Sequence, residues 1–310
     1  MTTYVRYSLD SAIDEFFNSS TTVTRQQCDA FAISRAGGVS TALQMQGVCS
    51  YTVAAGPNKS KLFQFRDENS TIDMDNITLA KAIHPDFVAS CKYLGTLGDS
   101  RPVYIYEMDH LPGTAHIMAR IPPDDMSRQC NTIKDFARFF TQSWNNDLQP
   151  CSDTIVTLLK EFQSNFDLLA RDLPSRFTPN LESHGDLNTM NLLVNPQTGN
   201  ITGIVDWAES RILPFGLALY GIENLLGRMD PEGYRELESL FWQTFREEAH
   251  NFSGADLYLI RAARMAGLFY HYGFNFDTKG VVQSVQTDQP GGSLAYLDAF
   301  CAAGEWAPLS

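Results

Sequence analysis

The chain has 310 residues and carries 36 Asp and Glu against 23 Lys and Arg, a formal net charge of −13. That balance excludes the basic surface by which proteins hold nucleic-acid backbones. A composition of 44% hydrophobic, 12% aromatic and 19% charged residues excludes a disordered chain and leaves ample material for a core, and the length sets an expectation of about two domains.

Residues 1–17 carry Asp10, Asp14 and Glu15 without a sustained apolar stretch, so no secretory or mitochondrial leader is expected. The densest apolar run, Ile212 to Ile222, is shorter than the about 20 residues that span a bilayer, so a soluble, cytoplasmic protein without a membrane partner is expected. Cys28, Cys49, Cys91, Cys130, Cys151 and Cys301 form no Cys-x-x-Cys pair and are expected to be reduced thiols. Up to about Tyr106 the pattern is short strands and turns with one or two helices. Val48 to Val53 reads as a strand, Gly56-Pro57-Asn58 as a turn and Leu62 to Phe65 as a second strand, together an antiparallel meander. Residues Asp75 to Ala89 read as a helix interrupted by Pro85, and Val103 to Met108 as a further strand ended by Leu111-Pro112-Gly113.

After Pro123 the apolar period changes from two to about three and a half. Asn131 is the expected cap of a helix whose apolar positions include Ile133, Phe136, Phe140 and Trp144. Ile155 to Leu169 predicts the next helix, stopping before Pro174, and Pro231 to His250 and Asp256 to Phe274 predict two more. A small sheet-rich domain, residues 1–108, thus precedes a larger helical one, residues 109–310.

One segment breaks the helical period. Leu192 to Val194 and Ile201 to Val205 are short apolar strands separated by the turn formers Asn195-Pro196-Gln197-Thr198-Gly199-Asn200, which predicts a hairpin. The hairpin brings Asn191, at the start of one strand, and Asp206, at the end of its partner, to the same end. Asp186, in a loop opened by Gly185, lies five residues before Asn191. Two carboxylates and an amide supply hard oxygen ligands for Mg²⁺, with one carboxylate left to orient or deprotonate a hydroxyl. That is the logic of phosphoryl transfer from a nucleoside triphosphate.

The arrangement resembles the aminoglycoside phosphotransferase and choline kinase-like family, relatives of protein kinases, in which a His-Gly-Asp-Leu-x-x-x-x-Asn loop precedes an apolar hairpin ending in Asp-Trp. The matching positions are His184, Gly185, Asp186, Leu187, Asn191, Asp206 and Trp207. The resemblance implies an α+β, bilobal protein kinase-like fold with a small antiparallel-sheet N-terminal lobe and a larger, mainly helical C-terminal lobe. It implies Asp186 as catalytic base, His184 as the brace of its loop, Asn191 and Asp206 as metal ligands, and ATP or GTP with Mg²⁺ as co-substrate. A small metabolite would accept the phosphate on a hydroxyl.

On the nucleotide side, a kinase-like reading assigns Gly47 and Ser50 to a phosphate-covering turn, with Gly37-Gly38 as a competitor and a plain strand and turn as the bland reading. Arg66 stands where a kinase-like enzyme presents a lysine and is read either as a phosphate ligand or as a surface arginine; Asp73 and Asp75 are its nearest acidic candidates. Backbone groups near Glu107 to Asp109 are expected to read the base. Leu268 to Phe276 offers an aromatic wall for an acceptor, with core packing as the competing account. Glu209, Glu223 and Asp230 are read either as acceptor-facing acids or as a solvated helix face. The histidines lack zinc-hydrolase spacing and no Gly-x-Ser-x-Gly occurs. Two other readings stay open: a binding module that keeps the fold without transfer, and an acid–base or metal-assisted enzyme that uses no nucleotide.

Overall fold

The computed structural model describes residues 7–146, 181–213, 215–226, 230–272, 274–276 and 282–284. They pack as two compact units. One runs to Pro112 and includes Val205–Ala208; the other comprises Gly113–Ile204 and residues from Glu209 onward.

The first unit opens with two helices, α1 (Leu9–Ser19) and α2 (Arg25–Ala36). Helix α2 starts at a capping box: the Gln27 amide donates to Thr24 Oγ1 at 3.3 Å while Gln27 Oε1 accepts from the Thr24 amide at 2.8 Å. Strands β1 (Thr41–Ala42), β2 (Ser50–Ala55) and β3 (Lys61–Arg66) follow, then α3 (Met74–Ile83), β4 (Cys91–Leu97) and β5 (Val103–Asp109). The expected antiparallel meander is present as β2 and β3, and the full sheet has the order β1-β2-β3-β5-β4, all antiparallel. Helix α3 intervenes after β3 and carries the chain to the outer edge, so β3 pairs with β5 and leaves β4 outside. Alternation places Tyr51, Val53 and Ala55, Phe63 and Phe65, and Val103 and Ile105 in one buried cluster with Ile13 and Phe16 of α1 and Cys28 and Ala32 of α2. Asp73 caps α3, its carboxylate accepting the amides of Asp75 and Asn76 at 2.9 and 3.2 Å.

In the second unit, β6 (Thr114–Ala115) and α4 (His116–Ala119) lead to α5 (Met126–Trp144). Its cap is Asp125, which accepts from the Arg128 amide at 3.2 Å. Asn131 is therefore interior to the helix, whose first buried positions, Gln129 and Thr132, are polar and carry no apolar signal. The helix expected over Ile155 to Leu169 lies outside the described residues. Strands β7 (Leu181–Ser183), β8 (Leu192–Val194), β9 (Ile201–Ile204) and β10 (Arg211–Leu213) form two small sheets, β6-β8-β9 and β7-β10. Helices α6 (Gly221–Leu226), α7 (Pro231–Glu248) and α8 (Gly254–Tyr272) follow, then the hairpin β11 (Phe274–Phe276) and β12 (Val282–Ser284).

The core of this unit is aromatic. Phe140 meets Phe136, Phe215 and Phe241 edge-on at 5.1, 6.2 and 6.1 Å, and Trp144 meets Phe215 at 5.1 Å. It also holds charge. Glu223 is buried, and its Oε1 accepts from Nε of Arg264 at 3.0 Å and from Nη2 of the same guanidinium, whose Nη1 reaches Glu238 at 2.5 Å. Burial favours the neutral acid at Glu223 and Arg264 opposes it. With two N–H groups on one carboxylate oxygen, the pair is ionic. Glu223 is thus a core residue rather than an acceptor-facing or solvated acid, and Asp230 is the cap of α7, accepting from the Gly233 amide at 2.8 Å. Glu209 remains exposed. Among the described residues no helix is long and apolar enough to cross a membrane, and Cys28, Cys49, Cys91 and Cys130 are free thiols.

Candidate functional site

In the second unit, the loop from His184 to Asn191 is folded around Asp186. His184 is buried, and Gly185 follows at φ +77°. A Cβ at Gly185 would lie 2.2 Å from the Glu209 carbonyl oxygen, so both the backbone conformation and the available space require glycine. Each oxygen of the Asp186 carboxylate accepts an amide N–H: Oδ1 from Asn188 Nδ2 at 2.8 Å and Oδ2 from Asn191 Nδ2 at 3.0 Å. Asn191 Nδ2 also donates to the Asp186 carbonyl at 2.9 Å, and Asn188 Oδ1 accepts the Met190 amide at 2.7 Å. The carboxylate is therefore fixed in orientation while each oxygen keeps capacity for a further donor.

The backbone around Asp186 is held from below. Tyr220, on a 3₁₀ turn over Leu217–Tyr220, donates its hydroxyl proton to the Gly185 carbonyl at 2.8 Å and accepts the Leu187 amide at 3.0 Å. Asn224 Nδ2 donates to the Leu187 carbonyl at 2.8 Å, and Asn224 Oδ1 accepts from Tyr272 Oη at 2.5 Å. The His271 ring stacks on Tyr220 with centroids 4.2 Å apart and planes at 14°. Burial holds the His271 imidazole below its ordinary pKa, Asp186 opposing, and burial pushes the Tyr220 phenol up. Within the expected aromatic wall, Leu268 is buried and Phe269 is 48% exposed.

The hairpin after the loop is fastened to α5. Strand β8 pairs with β9 from Leu192 against Ile204, so Asn191 precedes the first rung and the chain to Asp206 leaves from it. At the turn, Arg128 Nη1 donates to the Pro196 carbonyl at 2.7 Å, Asn131 Nδ2 to that of Thr198 at 2.8 Å, and Thr132 Oγ1 to that of Gly199 at 2.6 Å. Asp135 Oδ2 accepts from Asn200 Nδ2 at 2.9 Å and from the Ile201 amide at 3.0 Å.

In the first unit, Asp206 adopts φ +63°, a conformation that non-glycine side chains rarely take and that clusters at functional positions. Its Oδ1 faces Nη1 of Arg66 at 3.5 Å. Arg66 ends β3, is 6% exposed, and also donates from Nη1 to Gln64 Oε1 at 3.0 Å and from Nε to the Ser70 carbonyl. Its acidic partner is therefore Asp206, and Asp73 is occupied as a helix cap. Trp207 is buried, its ring 6.1 Å from that of buried His84.

Gly47 lies in the segment that joins β1 to β2. Gln46 stitches that segment to β2: Oε1 accepts the Thr52 amide at 2.8 Å, and Nε2 donates to the carbonyls of Leu43 and Thr52, both at 2.9 Å. Ser50 is buried, its hydroxyl accepting from Gln64 Nε2 at 3.4 Å. Glu107 pairs with Arg35 at 3.2 Å and Lys61 at 3.8 Å, and Asp109 with Lys61 at 2.6 Å. The amides of Asp109 and His110 donate to the carbonyls of Ser90 and Ser60 at 3.2 and 3.0 Å. Asn188, Tyr220, Asn224, Gln46 and Gln64 are residues of these two regions that pattern reading missed, because a single tyrosine or amide carries no spacing signal.

Asn191 spends its Nδ2 on Asp186, which leaves its carbonyl oxygen as donor to a cation; Asp206 is about half exposed, and Arg66 takes only Oδ1. Each is, in its own unit, a hard oxygen donor of the kind Mg²⁺ takes. No group of three or more His, Cys, Asp and Glu able to hold a metal occurs among the described residues.

No protein-family model and no curated protein sequence matches the chain. Solved structures do. The chain is similar to a thermostable mutant of an aminoglycoside phosphotransferase in a ternary complex with AMP-PNP and hygromycin B, at 13% identity over 90% of this chain and 99% of that one, with a TM-score of 0.50. It is also similar to spectinomycin phosphotransferase in complex with ADP and spectinomycin (12% identity, 93% and 96% covered, TM-score 0.46). A third is the macrolide 2′-phosphotransferase of Brachybacterium faecium (11% identity, 91% and 100% covered, TM-score 0.45). At such identities the likeness is one of fold: the chain has the α+β, kinase-like fold of the aminoglycoside phosphotransferases.

Proposed function

We propose that the chain is a phosphotransferase that moves the γ-phosphate of ATP or GTP to a hydroxyl of a small metabolite. The observation that carries the reading is the Asp186 loop, in which two amide side chains fix the carboxylate and leave each oxygen able to accept a proton. Asp186 takes the proton of the acceptor hydroxyl as its oxygen bonds to the γ-phosphorus; the bond from that phosphorus to the bridging oxygen breaks, and the nucleoside diphosphate leaves. Asn191 and Asp206 would hold Mg²⁺, which when bound supplies neutralisation of triphosphate charge. Arg66, with the segment around Gly47 and Ser50, would hold phosphate oxygens. Backbone groups near Glu107 to Asp109 would read the base; the amides of Asp109 and His110 are already spent inside the first unit, which leaves carbonyls for that role. The AMP-PNP and hygromycin B in the structurally similar phosphotransferase support a nucleotide and a hydroxyl-bearing acceptor as co-substrates.

A non-transferring binding protein is the second reading. It is favoured by Arg66, whose Nε and Nη1 already serve Ser70, Gln64 and Asp206. The deciding experiment incubates the purified chain with Mg·ATP or Mg·GTP and a panel of hydroxyl compounds, reads products by phosphorus NMR, and follows thermal shifts in parallel. Transfer by the wild type, its loss in Asp186→Ala, and a nucleotide-induced shift retained in that variant are the expected results. Wild-type turnover in Asp186→Ala overturns the base; a shift without product in either protein supports the binding module.

A further inference from the structure

The proposed base has no strand or long helix of its own: it sits in a loop held from within by Gly185 and the two asparagines. A base that must meet a hydroxyl within hydrogen-bond reach needs its backbone fixed as well as its carboxylate. In this chain two side chains from outside the loop fix the backbone on either side of Asp186. Tyr220 has one proton and lone pairs to spend, and it gives the proton to the carbonyl before Asp186 and a lone pair to the amide after it. Asn224, one helical turn further on, donates to the carbonyl of Leu187. Tyr220 and Asn224 thus grip the main chain of Gly185 and Leu187, the residues on either side of Asp186.

The grip is itself backed by α8. A Cβ at Gly267 would lie 2.0 Å from the Leu217 carbonyl oxygen, so only glycine lets α8 press onto the turn that carries Tyr220. One turn beyond Gly267, His271 lies flat on the Tyr220 ring, and Tyr272 donates to Asn224. From this geometry we infer that Tyr220 and Asn224 are the positioning residues of Asp186, held in register by His271 and Tyr272 at the end of α8. The inference rests on the reading of Asp186 as the base and deepens it: the end of α8 becomes part of the machinery that aims the carboxylate.

The test uses the full chain with Tyr220→Phe and Asn224→Ala, and Mg·ATP with water as acceptor, so that the probe is basal release of phosphate. Tyr220→Phe removes one oxygen and leaves the ring under His271. Its kcat is expected to fall about 10- to 100-fold, the cost of a misplaced reacting group, with the KM for Mg·ATP within about twofold of wild type. Amide hydrogen exchange in the peptide containing Leu187 is expected to speed up about tenfold, while exchange in the sheet unit stays unchanged. Asn224→Ala, which keeps Tyr220 intact, is expected to move both readouts the same way. Unchanged exchange at Leu187 in both variants overturns the inference, as does a KM that rises in step with the fall in kcat. A wild-type chain that releases no phosphate counts against the base reading, and the exchange measurement then decides the grip by itself.

Discussion

His271 shows how a single residue ties stability to acidity. Its imidazole is stacked on Tyr220, meets the Tyr272 ring edge-on at 4.7 Å, and feels one carboxylate, Asp186; burial nevertheless holds its pKa below the ordinary 6.5. The unfolded chain therefore binds this proton more readily than the folded one. The stabilisation is complete above about pH 6.5 and is lost as pH falls through the lowered folded value. His271→Phe keeps a ring and removes the titration. Between about pH 8 and pH 5 the melting temperature of the wild type should fall more steeply than that of the variant; parallel curves would assign the acid sensitivity elsewhere. At this scale the chain is legible only where residues recur at fixed offsets. His184, Gly185, Asp186 and Asn191 could be named because their spacing carries chemistry. The partner of Arg66 could not: Asp206 lies 140 positions away, and the acids near Arg66 in the chain, Asp73 and Asp75, were the natural and mistaken candidates.

Among the elements, α5 and the β8–β9 hairpin act as one piece. Residues 128, 131, 132 and 135 lie on the helix face that meets the hairpin turn, and the side chain at each bonds to that turn. Asp135 is the strongest fastening, being buried and shared between Asn200, the Ile201 amide and Arg138 Nη1 at 3.0 Å. Asp135→Ala should cost about 1–3 kcal/mol, since it leaves a buried amide without its acceptor. Asn131→Ala, whose bond is exposed, should cost less. Urea unfolding checks both: the midpoint should shift with the slope unchanged. Helices α3, α5, α7 and α8 were legible because a 3.6-residue stripe survives over many turns. Strand β4 was not: its residues at the sheet edge follow no clean alternation, so no period of two announces it. Strand order was equally hidden, because pairing β3 with β5 depends on where α3 delivers the chain, and periodicity contains nothing about that.

For the whole molecule, the net charge of −13 makes a quantitative statement about the nucleotide. A protein that holds polyanions by many basic contacts loses about 10³–10⁵ in affinity between about 50 and 200 mM salt. Here the proposed phosphate ligands are Arg66 and backbone groups, set in a surplus of negative charge whose repulsion salt relieves. The affinity for Mg·ATP should therefore change by less than about tenfold over that range, measured by calorimetric titration. A loss of the polyanion magnitude would reveal a basic surface that composition conceals.

Gln46 has a bearing on how the protein behaves in a crowded solution. Strand β1 is only two residues long, so most of the outer edge of β2 lacks a partner strand. Thr52 lies on that edge, and its amide and its carbonyl are both taken by the Gln46 side chain, the carbonyl also by the Leu43 amide. A primary amide offers the same donor and acceptor as a peptide group, and here one amide side chain does the work of a missing rung. Pairing by another strand at this position of β2 is thereby blocked without a longer strand to cover it.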